Sequence, residues 1–293
     1  MKILIVANPI SGGRQGSRRV QQLVDALSER GASVELHWTT GPGDALERAR
    51  SLEAGVERLV VAGGDGTLNE VLNGLVDPGR IPVAQLPLGT ANLLGHEFHL
   101  PRRADRVAEM VLDGGARHLD VGLVGDRRFL AVVSCGFDAM VVAAIQRTRS
   151  GSLGYRGYLA PIARALLDYR PPKLRVSIDG LRPRRAALVV VSNVRNYGGL
   201  FSVTDRANAQ SGVLDVCIFP EASLPRLLRY LVAGLAHRIS QLPEVVYRTG
   251  RTIAIESDEP TPVQIDGDPW GTTPVHIELA PFRMPFVAPG DRR

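Results

Sequence analysis

The sequence is poor in lysine and cysteine, and each shortage excludes a class of protein. Lysine occurs only at Lys2 and Lys173, although lysine and arginine together number 35. A phosphate-binding loop of the G-x-x-x-x-G-K-[ST] kind needs its lysine and is therefore excluded. The two cysteines, Cys135 and Cys217, lie in apolar runs with no histidine or further cysteine at metal-ligand spacing. We therefore expect buried thiols in a reducing cytosol, not a disulfide framework or a zinc site.

Long apolar runs and aromatic-rich basic stretches are also missing. The longest apolar stretches, 186–191 and 227–236, fall far short of the roughly 18 residues that a membrane span needs. Aromatic residues make up only 5% of the chain, and no stacking run accompanies the arginines, which argues against nucleic acid as a partner. The net charge of +5 still favours phosphate-bearing partners, such as nucleotides or membranes.

Residues 1–122 alternate short apolar runs with segments of helical periodicity. This alternation predicts an α/β domain with a parallel sheet covered by helices. The predicted strands are Lys2–Ala7, Ser33–Thr39, Arg58–Ala62, Val83–Pro87 and Arg117–Val121. The predicted helices run from about Ser17 to Arg30, Asp44 to Ala54, Thr67 to Leu75 and Ala104 to Asp113. Asp44 follows Gly41-Pro42-Gly43, which makes it the expected cap of its helix.

Residues 123–293 contain many short strand-like runs separated by turn signals. They predict a second domain that is a mostly antiparallel β-sandwich. Its predicted strands are Arg128–Cys135, Lys173–Asp179, Arg185–Asn193, Val213–Phe219, Arg251–Glu256 and Pro262–Ile265. Helical insertions are predicted at Ala139–Thr148, Gly157–Asp168 and Leu224–Ala236. The last segment, Pro274–Val287, either completes the sandwich or returns to the first domain.

Three glycine-containing motifs each follow a predicted strand of the first domain. They are Asn8-Pro9-Ile10-Ser11-Gly12-Gly13, Gly63-Gly64-Asp65-Gly66-Thr67-Leu68-Asn69-Glu70 and Leu86-Pro87-Leu88-Gly89-Thr90-Ala91-Asn92. Glycine allows the backbone to approach a phosphate closely and to adopt positive φ, and a following helix N-terminus favours an anion. Because open α/β sheets bind ligands beyond the carboxyl ends of their strands, we expect the three loops to converge on one site.

Each motif also has a plainer interpretation. The first is compatible with an ordinary strand-to-helix turn, and Thr90 and Asn92 are compatible with helix capping as well as with donation to phosphate. Asp65 is the one acidic group inside the second loop, where it is suited to positioning Mg²⁺ beside a triphosphate. A fourth motif, Ile265-Asp266-Gly267-Asp268, is typical of a β-hairpin turn.

Taken together, these motifs resemble those of the diacylglycerol kinase catalytic-domain family, which includes bacterial lipid kinases, sphingosine kinases and ceramide kinases. The resemblance runs through N-P-x-S-G, G-G-D-G-T-x-N-E and P-x-G-T-x-N in order, and covers nearly the whole chain. It implies that the first domain binds ATP and that the second, a β-sandwich, contributes the lipid side of the cleft. The implied activity is transfer of the γ-phosphate of ATP to the hydroxyl of a diacylglycerol-like or sphingoid-like lipid.

The resemblance also implies roles for individual residues. The implied ATP contacts are Asn8, Pro9, Ile10, Ser11, Gly12, Thr39, Gly64, Asp65, Gly66, Thr67, Leu68, Asn69, Glu70 and Thr90. Asp65 and Asp120 match acidic positions that act through Mg²⁺, and Asp268 occupies the position of the general base. Gly136-Phe137-Asp138-Ala139 and Gly198-Gly199 match segments that shape the second domain.

Three departures from the family pattern affect these expectations. The family's D-G-E motif appears as Asp266-Gly267-Asp268, so the base is an aspartate with one methylene fewer. Ser211 stands where the D-G-x-L-D motif has its first aspartate, so we do not expect the structural Mg²⁺ of a bacterial relative. Leu93 follows Asn92 where many relatives have aspartate.

Two rival interpretations remain open at this stage. One is another kinase with the same glycine loop, such as an NAD kinase or a phosphofructokinase-like sugar kinase; the first and fourth motifs argue against both. The other is a non-catalytic relative that binds lipid or nucleotide, suggested by Asp268 and Ser211. The kinase interpretation implies a cytoplasmic protein in peripheral contact with the inner face of the membrane, assisted by the arginines of 102–106 or 182–185. A homodimer is compatible with the sequence, which names neither the lipid nor the oligomeric state.

Overall fold

The computed structural model describes residues 1–148, 169–197 and 201–290, and these divide into two compact units. One unit contains Met1–Val121 together with the chain from Pro281 onward, and the other contains Gly122–Ala280. The predicted helix at 157–168 and the glycine pair at 198–199 lie outside the described residues. No helix in the described ranges has both the length and the hydropathy that crossing a membrane requires.

The first unit is built from alternating strands and helices. Its elements are β1 (Lys2–Ala7), α1 (Gly16–Glu29), β2 (Ser33–Trp38), α2 (Asp44–Arg50), β3 (Arg58–Gly63), α3 (Asp65–Gly74), β4 (Val83–Pro87), α4 (Leu93–Glu97), α5 (Ala104–Asp113) and β5 (Ala116–Val124). The parallel strands lie in the order β2-β1-β3-β4. This arrangement confirms the predicted α/β fold with a parallel sheet.

The burial of these elements follows from their apolar patterns. Residues 3–7 of β1 are an uninterrupted apolar run and are completely buried, as expected for a parallel strand covered on both faces. Helix α1 buries Val20, Leu23 and Leu27, whose spacing places them on one face of a helix. Helix α2 ends at Arg50, four residues earlier than predicted, and the short helix α4 was not predicted.

The second unit is dominated by antiparallel strands. Its elements are β6 (Arg127–Phe129), β7 (Val132–Cys135), α6 (Phe137–Thr148), β8 (Leu174–Ile178), β9 (Arg184–Ala186), β10 (Leu188–Ser192), β11 (Asn196–Tyr197), β12 (Phe201–Ser202), β13 (Leu214–Phe219), α7 (Leu224–Leu235), β14 (Val246–Gly250), β15 (Thr252–Ser257), β16 (Pro262–Ile265), β17 (Asp268–Thr272) and β18 (Val275–Val287). One sheet has the order β14-β13-β10-β7-β16-β17, and a second set of strands runs β18-β15-β8-β9.

A single apolar core holds these two sets of strands together. It joins side chains of the first sheet, such as Val133 and Val191, to side chains of the second, such as Val176 and Ile255. Along β15 the burial alternates, so that Ile253 and Ile255 point inward, as the two-residue period of a strand requires. The predicted antiparallel sandwich is confirmed.

The last strand resolves the alternative that the sequence left open for Pro274–Val287. The first part of β18 pairs antiparallel with β15 in the second unit, and Phe286, near its end, pairs parallel with Val83 of β4 in the first unit. The segment therefore both completes the sandwich and returns to the first sheet.

Candidate active site

The three glycine motifs of the first unit converge on one edge of its sheet. They follow the carboxyl ends of β1, β3 and β4, which are neighbours with Ala7 level with Ala62 and Gly63 level with Pro87. Thr39 follows β2 at the same edge, because its backbone N–H donates to the carbonyl of Ala7 at 2.8 Å. The predicted convergence is therefore present in the structure.

The first loop is fastened to the second through an asparagine. Asn8 Nδ2 donates to Thr67 Oγ1 at 3.2 Å, and Asn8 Oδ1 accepts from the backbone N–H of Ile10 at 3.1 Å. Gly12 has φ +76, a conformation that favours glycine. Pro9 and Ile10 are exposed, so the tip of this loop is accessible to a ligand.

The glycines of the second loop allow neighbouring atoms to pack closely, but none of them adopts positive φ. This corrects part of the expectation from sequence. Neither Gly63, Gly64 nor Gly66 has positive φ. A Cβ on Gly63 would lie 2.7 Å from Thr67 Oγ1, and a Cβ on Gly64 would lie 3.0 Å from the Cα of Gly89. A Cβ on Gly66 would meet no atom within 4 Å, so this residue leaves open space beside the first turn of α3.

Helix α3 begins directly at this loop. Its first residue is Asp65, immediately after the extended residue Gly64. The first N–H groups of an α-helix have no partner within the helix and carry a partial positive charge, which makes the start of α3 suited to an anion such as a phosphate. Thr67, Leu68 and Asn69 are buried, and Glu70 is partly buried.

Asp65 links the second loop to the third. Its Oδ1 accepts the backbone N–H of Leu93 at 2.7 Å, where α4 begins. Asn92, at the preceding position, has φ 45 and exchanges two hydrogen bonds with the backbone of Gly89, at 2.8 and 2.6 Å. Asn92 occupies the N-cap position of α4, but its side chain closes its own loop and does not cap the helix, whereas Thr90 is exposed at the loop tip.

Asp120 lies elsewhere in the first unit. Its Oδ1 accepts a hydrogen bond from Arg283 Nε at 2.7 Å, and its side chain is 2% exposed. Arg283 lies three residues before Phe286, which pairs with the first residue of β4. The carbonyl oxygen of Arg283 lies 3.4 Å from the position that a Cβ on Gly79 would occupy, in the loop before β4. The ion pair is thus near the amino ends of the strands, opposite the edge that carries Asp65. The structure does not bring together the two carboxylates expected to share Mg²⁺.

The Asp-Gly-Asp motif forms a hairpin turn between β16 and β17 in the second unit. Ile265 and Asp268 are paired, and Asp266 and Gly267 between them both have positive φ, as a two-residue turn requires. The Asp266 carboxylate accepts the backbone N–H groups of residues 130, 131 and 132 at 2.8 to 3.0 Å. Asp266 is therefore a structural residue that holds the hairpin to the start of β7.

Asp268 is placed differently from Asp266. It is the first residue of β17, its side chain is 48% exposed, and its Oδ2 lies 3.8 Å from Nη2 of Arg127. Asp268 is therefore an accessible carboxylate on a rigid hairpin, as a group that accepts a proton from a substrate must be.

A polar network beside this hairpin was not predicted. Gln264 Nε2 donates to Ser134 Oγ at 2.9 Å and to Asp138 Oδ2 at 3.2 Å, and Asp138 also bonds Ser134 and Tyr197. Burial raises the pKa of Asp138, although its three hydrogen bonds oppose that shift. Burial, and next the charge of Asp138, raises the pKa of Tyr197. The sequence signal was available in Gly136-Phe137-Asp138, but Gln264 and Tyr197 are distant in sequence.

Ser211 and Asp215, which occupy the positions of the D-G-x-L-D motif, both form hydrogen bonds within the protein. Ser211 Oγ donates to the carbonyl of Val213 at 3.0 Å, and Asp215 accepts from the hydroxyl of Tyr247 at 2.7 Å. Across the described ranges, no group of three or more histidine, cysteine, aspartate or glutamate side chains is arranged to hold a metal ion.

Known proteins resemble the chain over both units. Residues 2–124 match the family described as "Diacylglycerol kinase catalytic domain", and residues 131–288 match "YegS C-terminal NAD kinase beta sandwich-like domain". A "Diacylglycerol kinase" of Staphylococcus carnosus is 26% identical over 276 residues, which cover 93% of this chain and 90% of that protein. One of Staphylococcus aureus (strain MRSA252) is 26% identical over 290 residues, with 98% and 92% covered.

A solved structure adds a likeness in fold. The crystal structure of a diacylglycerol kinase from Bacillus anthracis superposes with a TM-score of 0.78 at 21% identity, covering 100% of this chain and 98% of that one. At this identity the likeness concerns the fold alone. The matches to both halves, together with the three converging glycine loops, show that the chain belongs to the diacylglycerol kinase catalytic-domain family of lipid kinases.

Proposed function

We propose that this protein transfers the γ-phosphate of ATP to the hydroxyl of a diacylglycerol-like or sphingoid-like lipid. The observation that carries the proposal is that three loops meet at the start of α3. Asn8 bonds the first loop to the second, Asp65 bonds the second to the third, and Gly89 of the third packs against Gly64 of the second. The names of the Staphylococcus relatives support a lipid alcohol as acceptor.

The nucleotide contacts that we propose all lie at this edge. Backbone N–H groups of the first turn of α3 are suited to the phosphates of ATP, because oriented amides bind anions without a lysine. Thr39 and Thr90 supply hydroxyl groups beside them, and Glu70 lies further along α3. We assign Asn8 to Gly12, Thr39, Gly64 to Glu70 and Thr90 to this site.

Mg²⁺ fits the site only in company with the nucleotide. Mg²⁺ is commonly held by one or two carboxylates together with substrate phosphates and water. Asp65 is the carboxylate at the loop edge that meets this requirement, and when bound the ion would neutralise phosphate charge. Asp120 is paired with Arg283 at the opposite edge, so our proposal for the metal rests on Asp65 and leaves Asp120 without a catalytic role.

Asp268 is the group that we propose to accept the proton of the lipid hydroxyl. Its exposure and its position on a hairpin anchored by Asp266 support this role. Phosphoryl transfer depends mainly on positioning and charge stabilisation, so a single carboxylate is sufficient as the base.

A transfer assay with labelled ATP tests this function. Diacylglycerol, phosphatidylglycerol, a sphingoid base and ceramide are offered in detergent micelles, with NAD and fructose 6-phosphate as alternative acceptors. We expect label on a lipid, and a loss of roughly 100-fold or more in kcat for Asp65→Asn. Label on NAD or the sugar, or ATP binding without any transfer, would favour one of the rival interpretations.

Membrane contact is part of the same proposal, because the acceptor lipid resides in a bilayer at the inner face of the cell membrane. The two arginine clusters differ in their surroundings. Arg103 and Arg106 are paired with Asp105 and Glu109. Residues 182–185 are exposed, and their three arginines form no ion pair with any residue that the structure describes. We therefore propose that the second cluster makes the contact; a homodimer stays a prediction.

A further inference from the structure

Helix α7 is apolar on the face that it turns to solvent. Its inner face buries Leu227, Tyr230 and Ala233, and Tyr230 packs against Phe219 with ring centroids 4.7 Å apart. Its other face consists of large apolar side chains that are 48 to 67% exposed: Leu224, Leu228, Leu231, Val232 and Leu235. We call these five residues the outer face of α7.

This concentration of exposed apolar residues is unusual for the surface of a globular protein. The described chain has ten exposed large hydrophobic residues, and five of them belong to this one helix. Exposed apolar side chains scattered singly need no explanation, but a contiguous patch marks an interaction surface. An apolar groove of about 460 Å³ continues the patch between Leu228, Val232 and Leu242.

Arginines also lie beside the outer face of α7. Arg229 and Arg238 line the groove; Arg229 is paired with Glu244 at 3.1 Å, whereas Arg238 forms no ion pair within the part of the chain that the structure describes. The arginines of 182–185 lead into β10, whose first residue pairs with Phe219, and α7 starts five residues after Phe219. Strand β9, which contains Arg184 and Arg185, and helix α7 are therefore connected to the same end of that sheet.

The size of the face argues against a second copy of the chain as its occupant. A helix of 12 residues is about 18 Å long and about 10 Å wide. A stable protein interface buries about 800 Å² on each partner, which this face alone does not supply. Shallow insertion into a bilayer has no such threshold, because its strength grows with the apolar area and with attraction to anionic lipids.

We infer that the outer face of α7 is a membrane-docking surface, which inserts among the lipids of an anionic bilayer while the neighbouring arginines contact their phosphates. The inference rests on the proposed lipid kinase function and adds the surface by which the protein reaches its substrate. Helix α7 lies between β13 and β14, and β17 with Asp268 is at the other end of that sheet. Docking and transfer are therefore separable by mutation.

Vesicle sedimentation of the full chain tests this inference. The probe is sucrose-loaded vesicles of phosphatidylglycerol and phosphatidylcholine, compared with phosphatidylcholine alone, at 0.1 and 0.5 M NaCl, which is about the range over which salt screening changes strongly. We expect Leu228→Gln/Leu231→Gln to lower binding at least tenfold. Val76→Gln, which removes an exposed apolar side chain elsewhere, should bind like the parent.

A second pair of variants tests the contribution of positive charge to vesicle binding. Arg184→Gln/Arg185→Gln should weaken binding to anionic vesicles several-fold at the lower salt and little at the higher. Arg103→Gln/Arg106→Gln removes two arginines that are already paired and should change binding much less. Thermal melts of all variants verify folding, and Val232→Gln replaces the leucine double variant if that one is unstable.

Several results would overturn the docking surface. The first is that the parent protein does not bind vesicles, and the second is that the leucine variant binds as well as the parent. The third is that the parent is a dimer and the leucine variant a monomer, while both bind vesicles equally. Transfer to a monomeric short-chain diacylglycerol is measured in parallel and should be unchanged in the leucine variant. If the parent binds vesicles but phosphorylates no lipid, the proposed function fails while the docking surface stands.

Discussion

At the scale of single residues, the two aspartates of one hairpin differ in their surroundings, and we propose a chemical role for only one of them. Asp266 accepts three backbone N–H groups, so its side chain is committed to holding the loop before β7. Asp268, two residues later, is half-exposed beside Arg127. Asp266 belongs to the turn and Asp268 to the strand that follows it, so the hairpin interpretation and the proposed catalytic interpretation of this motif are compatible.

The role of Asp268 predicts a difference between two substitutions. Asp268→Asn removes the proton acceptor and should lower kcat by about 100-fold or more, since a general base contributes that much. Asp268→Glu restores the residue type of the family motif and should keep kcat within about tenfold of the parent. The measurement is the initial rate at saturating ATP and lipid. Equal activity in all three proteins would exclude Asp268 as the base.

At the scale of elements, the second and third glycine loops depend on mutual contact. A Cβ on Gly89 would lie 2.5 Å from the Cα of Gly64 and 2.9 Å from Asn92 Oδ1. Both neighbours are fixed, one by backbone and one by two hydrogen bonds. The loops can therefore meet only if both positions lack side chains.

This contact predicts opposite results for two glycine substitutions. Gly89→Ala should lower the free energy of unfolding by about 1 to 3 kcal/mol, the usual cost of overpacking. Gly66→Ala, where a Cβ meets no atom, should leave stability equal or higher because alanine favours a helix. It should nevertheless weaken ATP binding, since its methyl group occupies the space beside the helix start. Denaturant unfolding and ATP titration measure the two effects; equal stability of both variants would contradict the contact.

The start of α2 depends on Asp44, though not as its cap. Gly43 precedes the helix as its N-cap, and the Asp44 carboxylate reaches back to Thr40 Oγ1 and the Thr40 N–H, both at 2.6 Å, and to His37 Nε2 at 2.8 Å. Hydrogen bonds from the Thr40 hydroxyl, and then from its N–H and His37, lower the pKa of Asp44 from 3.8 to about 2. The carboxylate therefore ties the loop after β2 to the helix.

The lowered pKa predicts a pH-dependent loss of stability. Because the folded value is below the unfolded one, the carboxylate stabilises the protein above about pH 4, and this contribution disappears as pH falls towards 2. Asp44→Asn should lower the free energy of unfolding by about 1 to 2 kcal/mol at neutral pH. The difference from the parent should shrink below pH 4. Asp126→Asn, at an exposed turn, is the control and should show no such trend; a constant difference would refute the assignment.

At the scale of the whole molecule, we expect activity but not folding to depend on a metal ion. No metal-binding cluster of three side chains exists among the described residues, and the Mg²⁺ that we propose is shared with ATP. Chelation by EDTA should therefore abolish transfer but shift the unfolding temperature by no more than about 1 °C, since a ligand stabilises only a state that binds it. A large shift in the absence of nucleotide would reveal a structural ion.

Sequence alone was sufficient for features that depend on local pattern. The apolar run of β1, the helical spacing of α1 and the alternation of β15 predicted strands and helices because each element buries its own repeating face. The order of the glycine motifs likewise predicted the loop edge, since consecutive parallel strands end on the same side. The Asp-Gly turn was also predictable from the sequence, because only a few residue types readily adopt positive φ.

The tertiary structure alone decided features that depend on residues distant in the chain. Asp120 looked like a metal ligand, but its partner Arg283 follows it by 163 residues and lies on a strand whose pairing no local pattern reveals. The network of Asp138 with Gln264 and the exposure of the outer face of α7 are of the same kind. An amphipathic pattern shows which residues are apolar, whereas only packing determines which of them the fold covers and which it leaves to another partner.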